Sequence, residues 1–162
     1  MNGSLIVITF DQQDRAETVF DALHAMRRRA MYSLDEALVV TRNRQGQVRL
    51  HHTPVLANTQ APRTLDVIAG LVFAGEDGVG NGRYATTEMK NDLADAGFDL
   101  KFLELVGQAL QDDSSAIFFL VKRASLGDAN EIIKVLSLFQ GQIAHTTIAP
   151  EVEAYFNQLT AQ

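Results

Sequence analysis

Four kinds of residue in this chain have types and spacings that could do chemistry: a glycine-rich loop, four histidines, an arginine run and scattered carboxylates. The loop Gly75-Glu76-Asp77-Gly78-Val79-Gly80-Asn81-Gly82-Arg83 has the look of a phosphate cradle. Such a cradle needs free backbone N–H groups opening a helix, usually after a strand. Gly75 and Gly80 have the right separation, but Asn81 stands where the lysine belongs, and Glu76 and Asp77 repel phosphate. Evenly spaced Gly78, Gly80 and Gly82 do not make the dinucleotide pattern, and the alternating oxygen ligands of a calcium loop are missing. The loop therefore reads as a connector between helices.

The histidines are His24, His51, His52 and His145. His51 and His52 are adjacent on a predicted strand, so they point to opposite faces and cannot hold one metal together. His24 falls beside the apolar stripe of the first helix, and His145 shares a strand face with Ile143, the place of a partly buried histidine. Without cysteine there is no thiolate zinc site, disulfide framework or cysteine nucleophile. No Ser–His–Asp order or carboxylate pair stands out, so no catalytic, cofactor-binding or metal-ligating residue is assigned, no cofactor is expected and enzymatic activity is unsupported. Arg27-Arg28-Arg29 complements the negative end of the first helix, with contact to an acidic partner or phosphate as the alternative.

The elements that must position these residues follow a repeated plan. Residues 4–10 form a β-branched apolar run suited to a buried strand, and Asp11-Gln12-Gln13-Asp14 has the spacing of a helix cap, with Asp11 as acceptor. The helix carries Ala16, Val19, Phe20, Leu23 and Met26 on one stripe. The plan returns at residues 115–121, with Ser125-Leu126-Gly127-Asp128 as cap. Its stripe Ala129, Ile132, Ile133, Leu136 and Phe139 is the first stripe shifted by 113 (16 to 129). Each half continues into a strand, 36–42 and 142–148. Two βαβ units, at about 4–52 and 114–148, predict an α/β (α+β) ferredoxin-like sandwich with both helices on one face of a mainly antiparallel sheet.

The first half has an extra strand. Asn43-Arg44-Gln45-Gly46 predicts a turn with Gly46 at positive φ, and Val48 and Leu50 alternate with Gln47, Arg49 and His51, which predicts one wet face. An insert at about 53–113 holds three candidate helices, 64–74, 86–96 and 100–110. Pro150 opens a terminal helix at about 150–160. All of this fits in one domain, 1–162, of 17.8 kDa.

Leu5 to Asp11, Ala37 to Arg42, Gly97-Phe98-Asp99-Leu100, Phe102 to Leu110 and Ser114 to Val121 together resemble a bacterial family, domain-of-unknown-function family twelve-sixty-nine, often labelled predicted membrane proteins. The resemblance covers nearly the whole chain and implies structural patterns only, with no catalytic residues. The membrane label rests on a long Gly/Ala-rich apolar middle. Here the uninterrupted apolar part is Val67 to Ala74, preceded by Asp66 and followed by Glu76-Asp77. A bilayer crossing needs about 20 such residues, so a buried helix is expected instead, and membrane association is not.

A net charge of −6, no Trp and no basic n-region before the first strand lead to the same expectation: a soluble cytoplasmic chain that binds no nucleic acid. The insert's Leu65, Ile68, Leu71, Val72, Phe73, Phe98, Leu103, Leu105, Val106 and Leu110 exceed what one small sheet face needs. That surplus predicts a homo-oligomer, a self-associating structural or regulatory protein. The alternatives are a small-molecule or metal-binding sensor, with a pocket between sheet and insert lined by His24, His145 or His52, and a peripheral membrane protein.

Overall fold

Eight residues of β1 (Gly3–Phe10) are buried without exception, because the strand lies inside the sheet and is covered on both faces. In the computed structural model, which describes residues 3–26, 36–52, 64–73, 87–121 and 129–160, β1 pairs antiparallel with β4 (Ser114–Val121) on one side and β5 (Gln142–Ile148) on the other. Beyond β4 come β2 (Glu36–Arg42) and then β3 (Val48–His52), giving a five-stranded antiparallel sheet of order β3-β2-β4-β1-β5. Six helices are described: α1 (Arg15–Met26), α2 (Thr64–Val72), α3 (Thr87–Asp95), α4 (Leu100–Ala109), α5 (Ala129–Leu136) and α6 (Pro150–Thr160).

Period-two alternation sorts the strand residues into two cores. Ile6, Ile8, Ala37, Val39, Ile117 and Phe119 face α1 and α5, whose stripe residues Ala16, Val19, Leu23, Ile132 and Leu136 bury against them. Leu5, Val7, Leu38, Val40, Phe118 and Leu120 face the opposite way, onto α2, α4 and α6. The repeated strand–helix plan thus places both of its helices on one face. Each connection skips a strand: β1 reaches β2 with β4 between them, and β4 reaches β5 with β1 between them.

The described part of the insert packs on the chain's own sheet. Leu65, Ile68, Leu71, Phe73, Phe98, Leu103, Val106 and Leu110 are buried on the second face of the chain's own sheet, and only Leu105 among those ten positions stays exposed. Edge-on contacts of Phe73 with Phe118 and of Phe98 with Phe156 tie insert to sheet and to α6. Of the apolar run expected at 67–74, residues 67–72 lie in α2, nine residues and so about 14 Å long, and Ala74 lies outside the described residues. Among the described residues no helix is long and apolar enough to cross a membrane.

Two junctions depend on single residues. The Glu36 carboxylate, at the start of β2, accepts hydrogen bonds from the Thr64 and Leu65 amides (3.1 and 2.9 Å) and so caps α2 from outside its own segment. Gly141 precedes β5 where a Cβ would stand 2.7 Å from side-chain atoms of Ile8 and Phe10 and 2.8 Å from the Thr9 carbonyl, so no larger residue fits that approach.

Candidate ligand-binding site

The helices α1 and α5 do not cover the outermost strand, β3. On the insert face Val48 is fully buried and Leu50 packs against the core. On the α1 face Arg49 is exposed and His51 half-buried, so the strand has the wet face that its alternation predicts. Between that face and the flank of α1 lies an open, polar cleft of about 730 Å³, within the size range of small-molecule sites.

Its floor is set by strand register. Thr41 on β2 pairs with Arg49, and Val39 with His51, so Thr41, Arg49 and His51 point to the same side. The Thr41 hydroxyl lies 3.0 Å from His51 Nε2, and Glu17 of α1 approaches His51 Nδ1 to 3.7 Å. The order hydroxyl, imidazole, carboxylate is that of a nucleophile relay. The Glu17 separation is an ion-pair distance and exceeds a hydrogen bond. What the trio does geometrically is hold the imidazole between the sheet and the helix.

One end of the cleft is the β2–β3 turn. The Gly46 amide donates to the Asn43 carbonyl, with Gly46 at φ 82°, and the Asn43 side chain accepts from the amides of Gln45 and Gln47. This is the turn expected at 43–46, reinforced by an asparagine that bonds its own loop. Asp113, at φ 60°, donates its amide to the Asn43 carbonyl, and its carboxylate lies 3.7 Å from Arg44 Nε. The segment before β4 is thereby fastened to the turn.

The other wall is the β1–α1 loop, and here the expected cap is corrected. The helix begins at Arg15, and the Ala16 amide donates to the hydroxyl of Ser115 on β4 at 2.9 Å, not to Asp11. Ser115 in turn donates to the Gln12 carbonyl at 2.6 Å. A fully buried hydroxyl on a neighbouring strand satisfies one of the orphan helix amides and pins the loop that carries Gln12, Gln13 and Asp14 into the cleft. Aspartate had suggested a local cap, and a serine 99 positions away supplies it.

Among the described residues, the sheet and α2 and α6 pack closely where they meet. The cavity bounded by Thr64, Leu120, Ile148 and Phe156 holds about 10 Å³, the room of a single water at most. His145 is exposed on β5 and not partly buried as expected, because this edge strand is only partly covered. Opposite edge strands carry His51 and His145, four strand spacings apart, or about 19 Å. His51 and His52 pair with Val39 and Leu38, whose side chains bury on opposite faces. His24 belongs to α1. Among the described residues no three His, Asp or Glu side chains gather as ligands for one metal ion. The loop 75–83, the run Arg27-Arg28-Arg29 and the cap 125–128 lie outside the described residues.

Sequence reasoning reached one strand of this site, through the alternation that put Arg49 and His51 on a wet face. It missed Thr41, Glu17, Arg44 and Asp113, which converge only through sheet register and helix placement. Comparison with known proteins adds no assignment: no family model, curated protein or solved structure matches this chain.

Proposed function

We propose that this chain is a small-molecule-binding module, a sensor or carrier whose site is the cleft between α1 and β3. The observation that carries the reading is the uncovered floor of β3. On the α1 side of β3, Arg49 is exposed and His51 half-buried, and both line a pocket of about 730 Å³. A pocket serving only as a structural gap would be expected to collapse onto apolar side chains. This one is walled by charged and amide groups, and hydrogen bonds of Asn43 and Ser115 fix the turn and the loop at its two ends. The fold we assign is the ferredoxin-like sandwich, supported by the order β2-β4-β1-β5 and by α1 and α5 sharing one face, with β3 and the insert layer as additions.

Amide chemical-shift mapping with a set of small polar compounds tests the reading. Shifts concentrated at residues 12–17, 41–51 and 113 are expected. Shifts scattered over the surface, or confined to the insert helices, would overturn it.

A second reading, self-association, is favoured by one observation. The strand β5 hydrogen-bonds to β1 alone among the described strands, and Gln142–Ile148 contains no Lys, Arg, Asp, Glu or Pro, the residues that usually guard an edge. The occupant this suits is the β5 of a second copy, paired antiparallel about a twofold axis. Light scattering after size exclusion should then give a dimer that His145→Lys with Thr147→Lys dissociates. A 17.8 kDa species at every concentration would exclude it.

A further inference from the structure

The two sides of the cleft differ in charge, with the carboxylates Asp14 and Glu17 on one and the guanidinium of Arg49 on the other. On the loop before α1 stands Asp14 and on α1 stands Glu17, and both line the cleft. On β3 stand Arg49 and His51, two positions apart and about 7 Å along the strand. The walls come close enough for Glu17 to reach His51 at 3.7 Å. Arg49, the next side chain on that face toward the turn, makes no hydrogen bond or ion pair among the described residues. An exposed guanidinium at the floor of a cleft is a ready two-pronged donor for a carboxylate.

We propose that the cleft takes a zwitterion of the α-amino-acid type, its carboxylate on Arg49 and its ammonium against Glu17 and Asp14. This deepens the ligand-binding reading and rests on it. A dianion of similar size would set its second charge against Asp14 and Glu17, and a simple cation would meet Arg49. A molecule with both signs on neighbouring atoms matches both walls, and the turn end of the cleft adds Arg44, 3.7 Å from the Asp113 carboxylate. The side amides of Gln12 and Gln47 line the remaining polar space, which suits a hydrogen-bonding side chain over an aliphatic one.

The test uses the intact chain and, as probes, the proteinogenic amino acids at millimolar concentration, followed by amide shifts and calorimetry. For the tightest binder, the corresponding amine without its carboxylate and the acid without its amino group are titrated beside it. Both truncated probes should bind at least tenfold more weakly. Arg49→Gln and Glu17→Gln should each weaken the parent by a similar factor with unchanged melting, the loss of one charge-assisted contact. If the acid binds as well as the parent and Glu17→Gln has no effect, the cleft is an anion site. The zwitterion is then wrong and the ligand-binding reading stands. If no amino acid, acid or amine moves the cleft amides, both are wrong.

Discussion

Ser115 joins β4 to the β1–α1 loop, about a hundred residues away in sequence, with one hydroxyl. It is fully buried on β4, receives the Ala16 amide and donates to the Gln12 carbonyl, so both of its hydrogen-bond roles serve the β1–α1 loop. Ser115→Ala leaves a helix amide and a carbonyl without that partner, at a cost of about 1–3 kcal/mol. A lower urea midpoint with an unchanged slope is the expected result. Because Gln12, Gln13 and Asp14 hang on this bond, exchange of the residue 12–16 amides should accelerate more than that of α6. Equal acceleration everywhere would mean that Ser115 contributes only to global stability. The local code around residues 11–14 was readable as a helix start, yet the acceptor was not, because a cap borrowed from another strand leaves no mark in nearby sequence.

At the scale of elements, α2 shows why an apolar segment stays out of lipid. Its helix is nine residues long and buries seven of them, and its N-terminus is anchored by a carboxylate from β2. Two amide donors converge on Glu36, so Glu36→Ala should destabilise the chain by about 1–2 kcal/mol. The first-turn amides of α2 should lose hydrogen-exchange protection before the sheet does. Retained protection at Thr64 and Leu65 in the variant would show that other groups cap this helix. Strand β3 supplies the functional counterpart. Val48 and Leu50 commit one face to the core, and the same alternation forces Arg49 and His51 to the other, where no described helix covers them. The wet face was therefore legible from five residues, whereas its opposing wall, Glu17 on α1, was hidden in the surface positions of an ordinary amphipathic helix.

The whole molecule is a sheet with a helical layer on each face, so the two cores share every inner strand. Phe118 and Phe119 make the point: adjacent on β4 and fully buried, they point into opposite cores. Phe118→Ala and Phe119→Ala should each cost about 3–5 kcal/mol. Each should lower one common thermal transition, with exchange accelerating both at Leu23 of α1 and at Val152 of α6. Two separated transitions in Phe119→Ala would mean that the layers melt independently. The described insert residues bury most of their apolar side chains on the chain's own sheet, and the β5 edge is one place where association is to be sought.

Strand and helix positions, the duplicated layout, the 43–46 turn and the wet face of β3 were all set by local patterns of apolar and polar residues, which act over a few positions and are therefore visible in the chain itself. The destination of the insert, the Ser115 and Glu36 caps, and the meeting of Glu17 with His51 were decided only in three dimensions. Each depends on strand order and register, and those arise from contacts between residues tens of positions apart, for which hydrophobic periodicity carries no address.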